Sequence, residues 1–421
     1  MFVILQNART EAQLSIALIS PVVRSYAWGS RTALPALCGD ASPAPEPVAE
    51  YWYGAHESDP SICSDGRTLV SRISGEPLVE LGDRVIREYG GALPFLVKLL
   101  SAETPLSLQA HPSLEYARAG FAAENGRGVP LGAANRSYRD ANHKPEILVA
   151  LGKFDALVGF RPVPCTIAFL DALDCRQLAR CRQLLAENPG GEGLRAAFTD
   201  LMAMSKEDLQ ETVEGLATVL TGYLNSVGPG ARWSQEAATV LELAKRYPYD
   251  PGVLCALLLN RVVLEPGQAI FLGPGQLPAY LRGVGVEVMA NSDNVLRGGL
   301  TAKHLDVVEL LRVLKFEALA EPMIYAEPLS DGSPAESIYP TPAPDFALSR
   351  FDFWASWEEV TYSPDGPEVL LCTAGDLHVL SGPATLSLRP GCAVWIPASA
   401  RHVTLFAATR STVFRTRVGG R

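Results

Sequence analysis

One pair of segments constrains this chain more than any other. Leu264-Glu265-Pro266-Gly267-Gln268-Ala269-Ile270-Phe271-Leu272 and Leu388-Arg389-Pro390-Gly391-Cys392-Ala393-Val394-Trp395-Ile396 each set a Pro-Gly turn immediately before an apolar strand, 124 residues apart (390 − 266). Pro presets φ and Gly accepts a positive φ, so the dipeptide fixes where the chain turns. Two unrelated β-hairpins would show the same pattern. A duplicated β-barrel would show it too, because each copy needs its own turn at the same place. On the second reading, the segment between the halves includes an insertion.

The rest of the sequence divides accordingly. Residues 1–17 are an extension with no assigned role. Residues 18–162 carry short apolar runs such as Leu93–Leu100 and Ile147–Val149 between turn residues, as β structure does. Residues 163–250 change period. Ser205 suits a helix N-cap, and Leu209, Val213, Leu216 and Leu220 follow at helical spacing; a second amphipathic run begins at Ser234 and ends before Pro248. Arg261–Leu264 and Ile270–Leu272 read as strands again. Residues 326–345 are rich in proline and read as a linker, and the final stretch alternates apolar runs with Gly and Pro. The expected fold is mainly β with an α insertion. Residues 18–162 and 251–320 form one discontinuous barrel, 163–250 a helical insertion, and 321–421 a small C-terminal β-barrel domain.

Composition removes several function classes. With 36 basic against 46 acidic residues and a net charge of -10, the chain is a poor partner for nucleic acid or an anionic membrane, though a local basic pocket for a phosphate is compatible. No apolar run approaches the roughly 18 residues that span a bilayer, and no secretory signal is evident. The eight cysteines form no C-x-x-C pair, which suits free thiols in a reducing cytoplasm.

Three stretches offer chemistry. Gln109 and His111 stand two apart, so on a strand both side chains reach one face. Glu146, in Asn142-His143-Lys144-Pro145-Glu146, can add a carboxylate. A mixed nitrogen and oxygen set suits zinc and admits manganese, cobalt or iron; a half-buried histidine with a backbone partner is the plainer alternative. The run Glu287–Thr301 follows neither period. It is either a solvated loop or, with Asp293, Arg297 and two glycines close together, a site for a polyhydroxylated anion.

Taken together these stretches resemble the type I phosphomannose isomerases. The resemblance also includes Tyr26-Ala27-Trp28-Gly29-Ser30, Ala49–His56, Leu93–Lys98 and Lys303-His304, and it spans roughly residues 20–316. It implies duplicated cupin-type β-barrels with a helical domain, one bound Zn2+, and interconversion of mannose 6-phosphate and fructose 6-phosphate. It implies Gln109, His111 and Glu146 as three of four metal ligands and Arg297 as the active-site arginine. Ser107 and Lys98 become candidates for holding the sugar phosphate, and Lys144, His143 and Asp293 for handling protons. The expected partner is a small phosphosugar, with the chain a monomer or weak homo-oligomer.

The match breaks at one ligand. The family's fourth is a histidine just before Ala-Tyr-Leu, and here Pro278 precedes Ala279-Tyr280-Leu281. Proline has no side-chain donor, so the metal is expected to be held more weakly. Gln276 and His304 are the nearby candidates for compensation. His402, His378 and His56 read as ordinary surface or turn histidines. Pro278 also sustains two rival readings, a family member that binds a sugar phosphate without efficient turnover and an isomerase acting on a related sugar.

Overall fold

A strand with no polar face must be covered on both sides. Phe95–Ala102 is such a strand, and in the computed structural model, which describes residues 16–228, 230–329 and 335–420, it is buried along its whole length. Its sheet runs in the order Val22–Arg24, Glu50–Gly54, Phe95–Ala102, Pro278–Ala290, Glu146–Ala150, Ala269–Leu272, Met323–Ile324. The far side of the barrel is Phe154–Phe160 paired with Leu259–Leu264.

The long strand Pro278–Ala290 joins the two sides. Its first residues pair with Phe154–Phe160, and from Gly283 onward it lies between Phe95–Ala102 and Glu146–Ala150. The register slips between Tyr280 and Arg282, as a β-bulge does. Gly283 follows at φ 136°, and a Cβ there would meet Phe154 at 2.5 Å. Only glycine allows both the conformation and the close approach.

The duplication is visible in the strand pairing. Glu146–Ala150 pairs with Ala269–Leu272 as Glu368–Ala374 pairs with Ala393–Ile396. Phe154–Phe160 pairs with Leu259–Leu264 as Leu377–Ser381 pairs with Ala384–Leu388. The strands Pro278–Ala290 and Val403–Ala407 then return beside the same members. Neither Pro-Gly turn closes a hairpin. The first carries the chain across the first barrel within its nine-stranded sheet and the second from the four-stranded to the eight-stranded sheet, with Gly267 at φ 86° and Gly391 at φ 83°.

Equivalent positions have met different ends. Glu146 and Glu368 each open their strand, opposite the last residue of the partner strand (Leu272 and Ile396). Glu368 is fully buried and gripped by Arg415 at 2.5 and 2.9 Å. Tyr362 also donates to it at 3.0 Å, and the Arg415 guanidinium lies 4.1 Å from the Tyr362 ring centre.

The helical insertion forms where the period changes. Ser205 caps Lys206–Ser226 by accepting from Asp208 N, and Leu209, Val213, Leu216 and Leu220 are buried. Each such leucine contributes about 2 kcal/mol of burial. Helix Ser234–Arg246 starts at the expected residue.

Two boundaries differ from expectation. Ala17–Ser20 joins the second barrel, pairing with Ala393–Ile396 on one side and Ile62–Cys63 on the other. The apolar Ile16, Ala17 and Ile19 are buried there and cover what would be an open sheet edge. The rest of the expected extension, residues 1–15, lies outside the described residues. The proline-rich stretch is also more than a linker: Glu336–Tyr339 pairs with Ala347–Phe353, and Pro328 sits on the outermost strand, where a missing N–H costs no ladder bond. Residues 330–334 lie outside the description. Among the described residues no helix is long and apolar enough to cross a membrane.

Candidate active site

Gln109 and His111 leave the short strand Leu108–Ala110 on the same side, while Leu108 and Ala110 pack into the core. Both line a cavity in the first barrel, together with Glu146, Lys144 and Ser107. His111 Nδ1 lies 2.7 Å from the Asn294 carbonyl oxygen. A carbonyl only accepts, so Nδ1 carries the proton and a neutral ring leaves its Nε2 lone pair free. That Nε2 is 3.4 Å from Glu146 Oε2. Two ligand atoms at about 2.1 Å from one tetrahedral ion are about 3.4 Å apart, so this spacing fits a metal between them. The Gln109 amide nitrogen is committed to Ser107 Oγ at 3.1 Å, which leaves its oxygen as the donor. Burial opposes the charge on Glu146, but the Lys144 ammonium, 3.0 Å away, holds its carboxyl well below the usual range.

Asn294 organises this end of the cavity. Its side-chain oxygen accepts from the backbone of Arg139 and Asp140, and its amide donates to Asp140 and to the Asn142 carbonyl. It thereby ties residues 139–142 to the same backbone that orients His111. Asn294→Ala is expected to weaken divalent-metal binding about 10–100-fold and to cost about 2–3 kcal/mol in urea unfolding. A variant that loses stability but keeps its metal affinity would show that the staple does not reach His111.

Arg297 stands opposite Gln109 in the ladder with Leu108–Ala110 and donates to Ser107 Oγ at 3.2 Å. Burial and the nearby Arg139 lower its pKa, and Arg297, burial and Arg139 lower that of Lys303. Among the described residues none of these three cations has a carboxylate within ion-pair distance. Unneutralised positive charge gathered beside a cavity in an acidic protein suits an anion.

The structure separates some residues that the sequence grouped. Lys98 does line the cavity, but its ammonium is buried between Glu287 at 2.9 Å and Glu50 at 3.7 Å. Two carboxylates already take its charge and would repel a phosphate, so the phosphate role does not fit it. His143 does not line the cavity; its Nε2 is 2.8 Å from Asp345 Oδ2, at the edge of the second barrel. Asp293 is also outside the lining, half-exposed, with its carboxylate 3.4 Å from His56 Nε2. A hydrogen bond from His56 lowers its pKa. His56 is therefore buried beside Trp52 and not a surface residue. His402 is exposed and His378 partly so, as read. Gln276 uses its side-chain oxygen to accept from Gly273 N, and His304 is exposed; neither lines the cavity. Pro278 does line it.

With this geometry in place, the known proteins most like the chain become informative. The family described as phosphomannose isomerase type I, catalytic domain, matches residues 16–163. The mannose-6-phosphate isomerase of Escherichia coli (strain K12) is 38% identical over 387 residues, covering 91% of this chain and 95% of that protein. This chain belongs to the type I phosphomannose isomerases. The rat mannose-6-phosphate isomerase is 33% identical, with 86% and 88% of the two chains covered. A crystal structure of the phosphomannose isomerase from Salmonella typhimurium, bound to its substrate (f6p) and zinc, superposes with a TM-score of 0.86. It has 35% identity and covers 96% of this chain and all of that one.

For a phosphomannose isomerase, the sequence reading missed several cavity residues. Glu50, Tyr280 and Glu287 line the cavity, and Glu287 accepts from Lys98 on one oxygen and from Tyr280 on the other. Burial raises the Glu287 pKa even beside Lys98. Glu50 in turn accepts from Trp52 Nε1 at 2.8 Å. The available signal was a charged residue in each of three strongly apolar strands. Glu287 stands directly across from Lys98, and Trp52 is across from Lys98 on the other side.

Proposed function

We propose that this chain interconverts mannose 6-phosphate and fructose 6-phosphate. The observation that carries the reading is the pairing of a donor set inside the cavity with a basic cluster beside it, outside its lining. Gln109, His111 and Glu146 converge as a metal-type donor set, and Arg297, held to that cavity through Ser107, leads to an uncompensated basic corner with Arg139 and Lys303. A sugar phosphate needs both kinds of contact. The C6 phosphate would take the basic corner and the reducing end the donor set.

Zinc, which relatives hold in their crystal structures, would be held by Gln109, His111 and Glu146 and would polarise the sugar oxygens as a Lewis acid. The isomerisation moves a proton between C2 and C1 through an enediol, so charge develops on O1 and O2. The planar Arg297 guanidinium offers that charge fixed donors. Among the ionisable groups of the cavity, Lys144 has one ion-pair partner, whereas Lys98 and Glu287 are each fixed by two groups. We therefore assign proton handling to the Lys144 Nζ. All these residues come from one chain, so a monomer suffices, and the eight free cysteines suit a reducing cytoplasm.

The test is a coupled assay of the metal-supplemented protein with mannose 6-phosphate, with glucose 6-phosphate as the epimer control. Turnover of the mannose ester alone supports the reading, and no turnover with zinc, manganese or cobalt overturns it. Pro278 in the cavity wall favours the second reading, a protein that binds the ester with little turnover, and binding without turnover in that assay would select it.

A further inference from the structure

We infer that the metal site of this chain has three protein ligands and no fourth, and that it discriminates weakly between zinc and manganese. This rests on the reading of Gln109, His111 and Glu146 as a metal site. Among the described residues, no group of three or more His, Cys, Asp or Glu side chains stands together in a metal-holding arrangement. The set is therefore one imidazole, one carboxylate and one neutral amide.

Nothing else in the cavity is free to complete it: Glu50 has one oxygen accepting from Trp52 Nε1 and the other facing the Lys98 ammonium. Pro278 is buried in the wall and offers no donor atom. Next to it, Ala279 offers none, and the Tyr280 hydroxyl donates to Glu287 at 2.9 Å. The other Glu287 oxygen holds Lys98. Ser107 Oγ accepts from both Gln109 and Arg297. The remaining coordination positions thus fall to water or to substrate oxygens.

Two consequences follow for the ion. Nitrogen donors raise affinity for zinc more than for manganese, whereas carboxylate, carbonyl and water oxygens suit manganese. A set with a single nitrogen should separate the two ions poorly. In addition, the Lys144 ammonium is 3.0 Å from Glu146 Oε1 and opposes any cation at the same carboxylate. Binding should be weak and exchange fast.

The test titrates metal-free full-length protein with zinc and, separately, manganese against a fluorescent chelator. Pro278→His, Pro278→Ala and His111→Ala are measured beside it. Pro278→His is expected to raise zinc affinity about tenfold or more and manganese affinity less, so the preference for zinc widens. Pro278→Ala adds no donor and should leave both affinities unchanged. Zinc binding by the unsubstituted protein as tight as by Pro278→His, or an unchanged preference in that variant, overturns the inference. The number of waters on the six-coordinate manganese of the unsubstituted protein, read from water-proton relaxation, decides the matter even if Pro278→His folds poorly. Three waters support three protein ligands, and two or fewer overturn the inference. If neither zinc nor manganese binds, and His111→Ala behaves like the unsubstituted protein, the metal reading itself fails. Tight zinc binding lost in His111→Ala would overturn only the three-ligand inference.

Discussion

Arg297→Lys is expected to lower kcat about a hundred- to a thousandfold while KM moves only a few-fold. Removing one donor aimed at developing charge typically costs that much. Lysine keeps the charge, so long-range attraction of the phosphate survives. It loses the fork with which Arg297 holds Ser107 Oγ at 3.2 Å and, in the proposed role, would still reach the sugar oxygens. Lys303, exposed and at the edge of the basic corner, provides the contrast. Lys303→Met should raise KM with little change in kcat, the signature of lost binding shared by ground and transition states. Steady-state kinetics on metal-saturated protein separates the two. An unchanged kcat in Arg297→Lys removes Arg297 from the chemistry.

Lys98→Met should be among the most destabilising single changes in the first barrel, costing about 3–5 kcal/mol. The ammonium is buried against Glu287 and Glu50, and removing it leaves two carboxylates in a nonpolar setting beside Glu146. Adding Glu287→Gln to Lys98→Met should restore part of the loss, because it removes one stranded charge. Urea unfolding of the two variants measures both effects. A Lys98→Met protein within about 1 kcal/mol of the parent would mean that water reaches the cluster and shares its charge.

Turn geometry and period are local, so the Pro-Gly echo at Pro266 and Pro390 and the leucine stripe from Leu209 to Leu220 were legible. So were Gln109 and His111, since two residues apart on a strand means one face. Partners across strands are not local. Lys98 reads as a free cation until Glu287 is found opposite it, 189 residues away. His143 and Asp293 sit in the right segments, but their side chains are drawn to Asp345 and His56. Ala17–Ser20 lies next in sequence to the first barrel and pairs with the second, because a sheet edge there needs covering.

The two buried carboxylates at matching places, Glu146 and Glu368, amount to two ways of settling one electrostatic problem. In the second barrel the counter-charge is covalently part of the chain: Arg415 is always present and always charged. In the first barrel, if Glu146 is a metal ligand as proposed, part of it would arrive from outside and could leave. One half of the molecule would then answer to the supply of metal and the other half would not. On addition of a chelator, amide exchange should quicken around Leu108–Ala110 and Glu146–Ala150 and stay unchanged in Glu368–Ala374; equal quickening in both would refute the division. A cell short of metal would then hold a dormant, half-rigid enzyme, with its second barrel still folded and ready to restart when the ion returns.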